Sequence, residues 1–314
     1  MTRGQSTSDG ARNNHETDAP TFLVAGDTRV DAGKTTFSTG LLAYLAGDES
    51  HTAAVGVKPR AGNDYWFDHD DVRISTGSGR LYGKDARRLA TASTRPLDPS
   101  QEAIAPEAIN PVHRLWRPTP GRTGMLGDSN RTFLCDRVTT PDGSRFVVNG
   151  VAEAEGLIPE LLGDRLPLSN ATRVDDIAAF NELMADVYVP AFNRLADRIG
   201  RASVPVVIES YADVAAPLSI GGDAPVAIDA VATVAPGRVR IYAGDRYAKA
   251  RQVASGSARE GTLEEHTDAV TEMIEPLATV GVPALSGEER GRSETVAERY
   301  AAAYEALVDA AERV

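Results

Sequence analysis

Lysine is nearly missing from this chain of 314 residues. Of its 33 basic residues only Lys34, Lys58, Lys84 and Lys249 are lysines, and the rest are arginines. Acidic residues number 45, so the net charge is −12. An acidic surplus with little lysine resembles adaptation to a salt-rich cytoplasm, and a GC-rich genome would also produce the arginine bias. Under either cause each remaining lysine gains weight as a functional candidate. The charge argues against bulk attraction to nucleic acid or to anionic lipid. Cysteine is scarcer still: Cys135 stands alone, which excludes an intramolecular disulfide framework and a cysteine-based zinc cluster and suits a reduced, cytoplasmic setting. No run approaches the ~18 apolar residues of a membrane span, so no membrane partner is expected. Residues 1–19 are polar, lack the apolar stretch of a signal sequence, and read as a disordered tail.

What is present starts at Thr21. Phe22 to Ala25 is a short apolar run that fits a buried parallel strand, and from Thr36 onward Phe37, Leu41, Leu42 and Leu45 recur at helical spacing. Between them lies Gly26-Asp27-Thr28-Arg29-Val30-Asp31-Ala32-Gly33-Lys34-Thr35-Thr36. Its end supplies what a triphosphate needs: backbone N–H groups at a helix N-terminus, a lysine for the β and γ phosphates, and a hydroxyl for Mg²⁺. The match to G-x-x-x-x-G-K-[ST] is incomplete, since Thr28 stands where the first glycine belongs and Gly26 is the nearest one upstream.

Strands alternate with helices along the rest of the chain. Thr52–Pro59 reads as a second strand ending at Lys58, Arg60–Arg80 as a polar loop, and Leu81–Ala92 as a helix with Leu81, Ala86, Leu89 and Ala90 on one stripe. Asp98-Pro99-Ser100-Gln101-Glu102 resembles a helix start. Two β-rich runs, Arg131–Val138 and Ser144–Asn149, flank Pro141-Asp142-Gly143 and suggest a β-hairpin. Val174–Ile199 reads as a helix that Pro190 kinks or divides. Val204–Asp213 reads as a further strand, an apolar run that ends on carboxylates, Val226–Val234 and Gly237–Tyr242 as two more, and Thr262–Val280 and Ser293–Val314 as two closing helices. The expected fold is α/β, with a mostly parallel sheet flanked by helices and an inserted β-hairpin. Residues 20–314 then form one domain of the P-loop kind, with the insertion at about 114–170.

A phosphate loop needs acidic partners for Mg²⁺, and these usually project from strand ends near the phosphates. Glu209 ends an apolar strand, where an acid is costly unless it is paired or on a metal. The second acid is open among Asp64, Asp68, Asp70, Asp71 and Asp85, because spacing does not choose between them. The insertion carries Arg114, Arg117, Arg122, Arg131 and Arg137, which suit either a clamp for an anionic substrate or ordinary polar surface. His113 and Cys135 have no catalytic partner visible in the sequence.

Several islands then carry a family resemblance: Arg29 to Thr35, Gly56-Val57-Lys58-Pro59, Ile109-Asn110-Pro111, and Glu209 through Ala215-Ala216-Pro217-Leu218. Their order resembles dethiobiotin synthetase, a branch of the P-loop ATPases that also holds the MinD-like and cobyrinic-acid synthetase proteins. By that resemblance Gly26, Thr28, Arg29, Ala32, Gly33, Lys34, Thr35 and Thr36 cradle the phosphates, and Asp31 matches the acid two residues before the loop glycine. Lys34 is the phosphate lysine, and Lys58 a second active-site lysine that meets the reacting carboxylate or phosphate. Thr35, Glu209 and Asp85, with Asp64 as the alternative to Asp85, hold Mg²⁺. The chain departs from the family at Ser210-Tyr211-Ala212-Asp213, which replaces a glycine-rich turn packed on substrate and argues against diaminopelargonate.

The resemblance implies an ATP- and Mg²⁺-dependent ligase or kinase acting on a small anionic metabolite, and a homodimer. Two alternatives stay open. One is a MinD-like ATPase switch acting through protein partners, against which Arg29 stands where a lysine is usual. The other is a polynucleotide 5′-kinase, which Asp31-Ala32-Gly33-Lys34-Thr35 also resembles and which the acidic balance opposes.

Overall fold

The computed structural model describes residues 19–27, 32–47, 52–98, 101–220, 226–256 and 265–313. The expected tail lies outside them apart from Ala19, and so do Thr28, Arg29 and Asp31 of the loop. Among the described residues eleven strands run in chain order: β1 (Thr21–Gly26), β2 (Val55–Val57), β3 (Arg60–Asp64), β4 (Val112–Thr123), β5 (Ser129–Thr140), β6 (Gly143–Asn149), β7 (Thr172–Val174), β8 (Val206–Glu209), β9 (Ala230–Ala235), β10 (Arg238–Ala243) and β11 (Ala278–Gly281). They form two mixed sheets within an α/β architecture. No helix of the described residues is long and apolar enough to cross a membrane.

The first sheet has the order β11-β10-β9-β1-β8-β2. From β2 to β9 the strands are parallel, and β10 and β11 add an antiparallel edge. All six residues of β1 and all four of β8 are buried. Strands covered on both faces read as continuous apolar runs, which is why both stand out in the sequence. Helix α1 (Lys34–Ala46) leaves the end of β1 through Gly33, whose φ of +86° lies in the left-handed region that favours glycine. Phe37, Leu41, Leu42 and Leu45 bury one face of α1 in the main core. Its other side is covered by the last two helices, Ser293–Arg299 and Ala301–Glu312, with the Tyr304 hydroxyl donating to the Phe37 carbonyl at 3.0 Å.

The second sheet, β3-β4-β5-β6-β7, is built wholly from the chain between β2 and β8. This corrects the expectation of a lone hairpin. The hairpin of β5 and β6 exists, with Thr140 paired to Gly143 around Pro141-Asp142 and Gly143 at φ +117°, but it is the middle of a five-stranded sheet. Arg60–Arg80 is not a loop: it forms β3 and helix α2 (His69–Gly77). Helix α3 (Lys84–Ala92) falls within the expected Leu81–Ala92.

Three more expectations change. Pro99 and Ser100 of the expected helix start lie outside the described residues, and the segment that follows holds only the four-residue helix Pro106–Ile109 before β4. Thr262–Val280 contributes a five-residue helix, Thr267–Thr271, and then β11, while an unforeseen helix fills Gly244–Gly256. The helix over Val174–Ile199 begins at Ile177 and continues to Ile199 through one π turn, Met184–Tyr188. Pro190 accounts for that turn, since it offers no N–H to the carbonyl four residues back and its ring would strike that carbonyl in a regular α-helix.

Candidate active site

The register of the first sheet brings the candidate residues together. Strand β8 lies between β1 and β2, with Glu209 level with Val24 and Ile208 level with Val57. The residue after Val57 is Lys58, so the sheet sets Lys58 beside Glu209 at the carboxyl end of the parallel strands. Crevices there are where open α/β sheets bind ligands. Thr35 arrives from the first turn of α1, and Asp85 from the first turn of α3, which packs on α1 and β2.

The Lys58 ammonium donates to Asp85 Oδ2 at 3.0 Å and to Glu209 Oε1 at closer range. The Thr35 hydroxyl donates to the same Glu209 oxygen at 2.8 Å. Glu209 is wholly buried and Lys58 nearly so. Burial opposes the Lys58 charge, but the two carboxylates overcome it and hold the ammonium well above its usual range. For Asp85, burial alone would raise the carboxyl; the Lys58 ammonium, by charge and hydrogen bond, outweighs it and lowers the carboxyl below its usual range.

Lys34 behaves differently. Its ammonium donates to the Ala212 carbonyl at 2.6 Å, and burial, then the charge of Lys58, lower it. Ala212 sits at φ +45°, a left-handed conformation uncommon for a residue with a Cβ. The turn around it is held by Ser210 Oγ, which donates to the Val214 carbonyl at 2.5 Å.

Thus Thr35, Lys58, Asp85 and Glu209 meet, and Lys34 lies close by. Gly26 ends β1, while Ala32, Gly33 and Thr36 lead into or begin α1. Asp64 does not join them: its Oδ1 accepts the backbone N–H groups of Trp66 and Phe67 at 2.8 and 3.1 Å and closes the turn into α2. Asp68 and Asp71 face Lys84 instead.

The arginines of the second sheet have other partners. Arg114 pairs bidentately with buried Asp136, Arg122 with Glu155 and Arg131 with Asp128, while Arg117 donates to the Leu157 carbonyl. Arg137 is wholly buried and donates to Leu81, Asn110 and Thr139. These contacts tie the sheet together rather than leaving a ready clamp.

Three residues assigned no role in the sequence also border the site. Asn110 donates to the Lys58 carbonyl at 2.7 Å and so fixes the backbone under that lysine. Arg60, two residues after Lys58, donates to the Tyr211 hydroxyl at 3.2 Å, with its guanidinium over the rings of Phe192 and Tyr211. His113 is wholly buried, and neither ring nitrogen has a protein hydrogen-bond partner among the described residues. Burial, then the charges of Arg137 and Lys58, push its pKa down to about 3, so it is neutral.

The donor set fits a hard divalent cation. Among the described residues no group of three or more His, Cys, Asp or Glu side chains converges as a metal site, but Mg²⁺ commonly takes one or two carboxylates and completes its shell with water and phosphate. Glu209 Oε2 is a buried carboxylate oxygen without a protein hydrogen-bond partner among the described residues, while the Thr35 hydroxyl reaches the other oxygen of that carboxylate and Asp85 shares the Lys58 ammonium with it. Comparison with models of known protein families, with curated proteins and with solved structures finds no match.

Proposed function

We propose that the chain is a P-loop enzyme that uses Mg²⁺-ATP to phosphorylate or activate a small anionic metabolite, most simply a carboxylate converted to its acyl phosphate. The convergence of Thr35, Lys58, Asp85 and Glu209 from four separate segments carries this reading. Residues 32–36 and the start of α1 would receive the phosphates, with Lys34 moving from the Ala212 carbonyl to the β and γ oxygens. Thr35, Asp85 and Glu209 would hold Mg²⁺, which supplies charge neutralisation at the phosphate oxygens when bound. Lys58 would meet the acceptor's carboxylate and orient it toward the γ-phosphorus. The γ-phosphoryl group then passes to the acceptor oxygen and ADP departs. These residues act through position and charge alone.

The test is ATP turnover with Mg²⁺ at high salt, with and without a panel of small carboxylates. Turnover that depends on one carboxylate and falls by about 100-fold or more in Lys34→Ala is expected, the scale of losing one preorganised charge-stabilising group. Absence of both ATP binding and ATP turnover would discard the reading.

A further inference from the structure

We propose that Lys58 is a tethered counter-ion standing between the two metal-ligand carboxylates, and that a divalent cation must displace its ammonium in order to bind. The inference rests on reading Asp85 and Glu209 as metal ligands, and it adds an order of events to that reading. The Lys58 nitrogen contacts one oxygen of each carboxylate, and the Thr35 hydroxyl is turned onto Glu209 Oε1 as well. The ammonium and a divalent cation therefore compete for the same oxygens. Glu209 Oε2, buried without a protein hydrogen-bond partner among the described residues, gives an incoming cation a contact the ammonium does not use.

Glu209 is wholly buried and Asp85 partly so; such a pair of carboxylates requires compensation, and a tethered ammonium supplies it without a free ion. Its stem is anchored, because the Lys58 backbone donates to the Ile109 carbonyl at 2.9 Å and accepts from Asn110. Displacement therefore moves the end of the side chain and leaves the backbone in place. The consequence is coupling: the acceptor gains its cation only after the metal has arrived with the nucleotide, so the acceptor binds second.

Binding of Mn²⁺ in the absence of nucleotide, followed by the electron paramagnetic resonance of the free ion, tests this on wild type, Lys58→Met and Lys58→Arg. Lys58→Met should bind Mn²⁺ at least about tenfold more tightly than wild type, given the strength of a unit charge at such a range in an effective dielectric near 20. Lys58→Arg, which keeps the charge, should not. Unchanged or weaker binding by Lys58→Met would overturn the proposal.

Should the methionine variant not fold, wild type carries the test through pulse acetylation with acetic anhydride. The chain has only four lysines, and Lys84 and Lys249 are exposed internal standards. Raising Mn²⁺ should increase acetylation of Lys58 several-fold against those two, and continued protection of Lys58 overturns the idea. Neither experiment uses nucleotide. Tighter Mn²⁺ binding by Lys58→Met in a protein that binds no ATP would retain the displaced ammonium and discard the ATP reading; ATP turnover without that tightening would do the reverse.

Discussion

His113 lies in surroundings that its neighbours in sequence do not suggest: wholly buried, with neither ring nitrogen hydrogen-bonded to a described residue. Its pKa in the folded protein, about 3, lies far below the ~6.5 of an exposed histidine. The unfolded chain therefore takes the proton first as pH falls. The stability that this group contributes is complete above about pH 6.5 and is lost progressively toward pH 3. In urea unfolding at a series of pH values, His113→Gln should lose less stability than wild type, by about 1.4 kcal/mol per pH unit within that window. Parallel curves for the two proteins would contradict the assignment. The same contrast explains which site residues were legible. Lys58 and Glu209 announce themselves as charges ending apolar runs, and Thr35 and Lys34 as a lysine–hydroxyl pair at a helix start. Asp85 needed the family resemblance to be preferred over Asp64, because both are acids in polar stretches. Arg60 and His113 lie where the second sheet sets them, and no local pattern encodes that; Asn110 stands out only within the Ile109-Asn110-Pro111 island, with no role attached.

At the level of elements, α1 is held by its contacts more than by its propensity. Gly40 lies mid-helix, where alanine is ordinarily favoured by about 1 kcal/mol. Here a Cβ would fall inside contact distance of the Tyr304 hydroxyl and Val296 Cγ1 from the closing helices. Overpacking of that kind costs about 1–3 kcal/mol, so Gly40→Ala should lower the denaturation midpoint rather than raise it. A raised midpoint would mean that the closing helices yield without cost. Strands β1, β2 and β8, and helices α1 and α3, could be read from sequence because apolar runs and helical spacing are local signals. Strand β4 was missed in part because Pro118 and Pro120 lie within it, toward a largely exposed end where missing N–H donors matter little. Strand β11 is four residues long and only half covered, and its pairing with β10 defines it. Helix α2 has few apolar residues, so its period left little trace.

Charge belongs to the molecule as a whole. A net charge of −12 places the folded chain under mutual repulsion that salt relieves. Raising salt from about 0.1 M to about 1 M shortens the screening length from ~10 Å to ~3 Å, and the melting temperature should rise over that range. A steady fall would mean that the many arginine–carboxylate pairs outweigh the repulsion. The strand order has a further consequence, for the time course of assembly. Strand β2 pairs with β8 and not with β1, so β1 and β2 have no strand of the first sheet to join until β8 has been made. The second sheet uses only the chain from Arg60 to Val174 and can condense while the first still waits for Val206. Long-range parallel pairing is slow for the same reason. In pulsed hydrogen exchange during refolding, amides of β5 should gain protection before those of β1; the reverse order would show that the first sheet nucleates the molecule. The candidate site, whose residues come from both sides of that wait, forms only once β8 has joined β1 and β2.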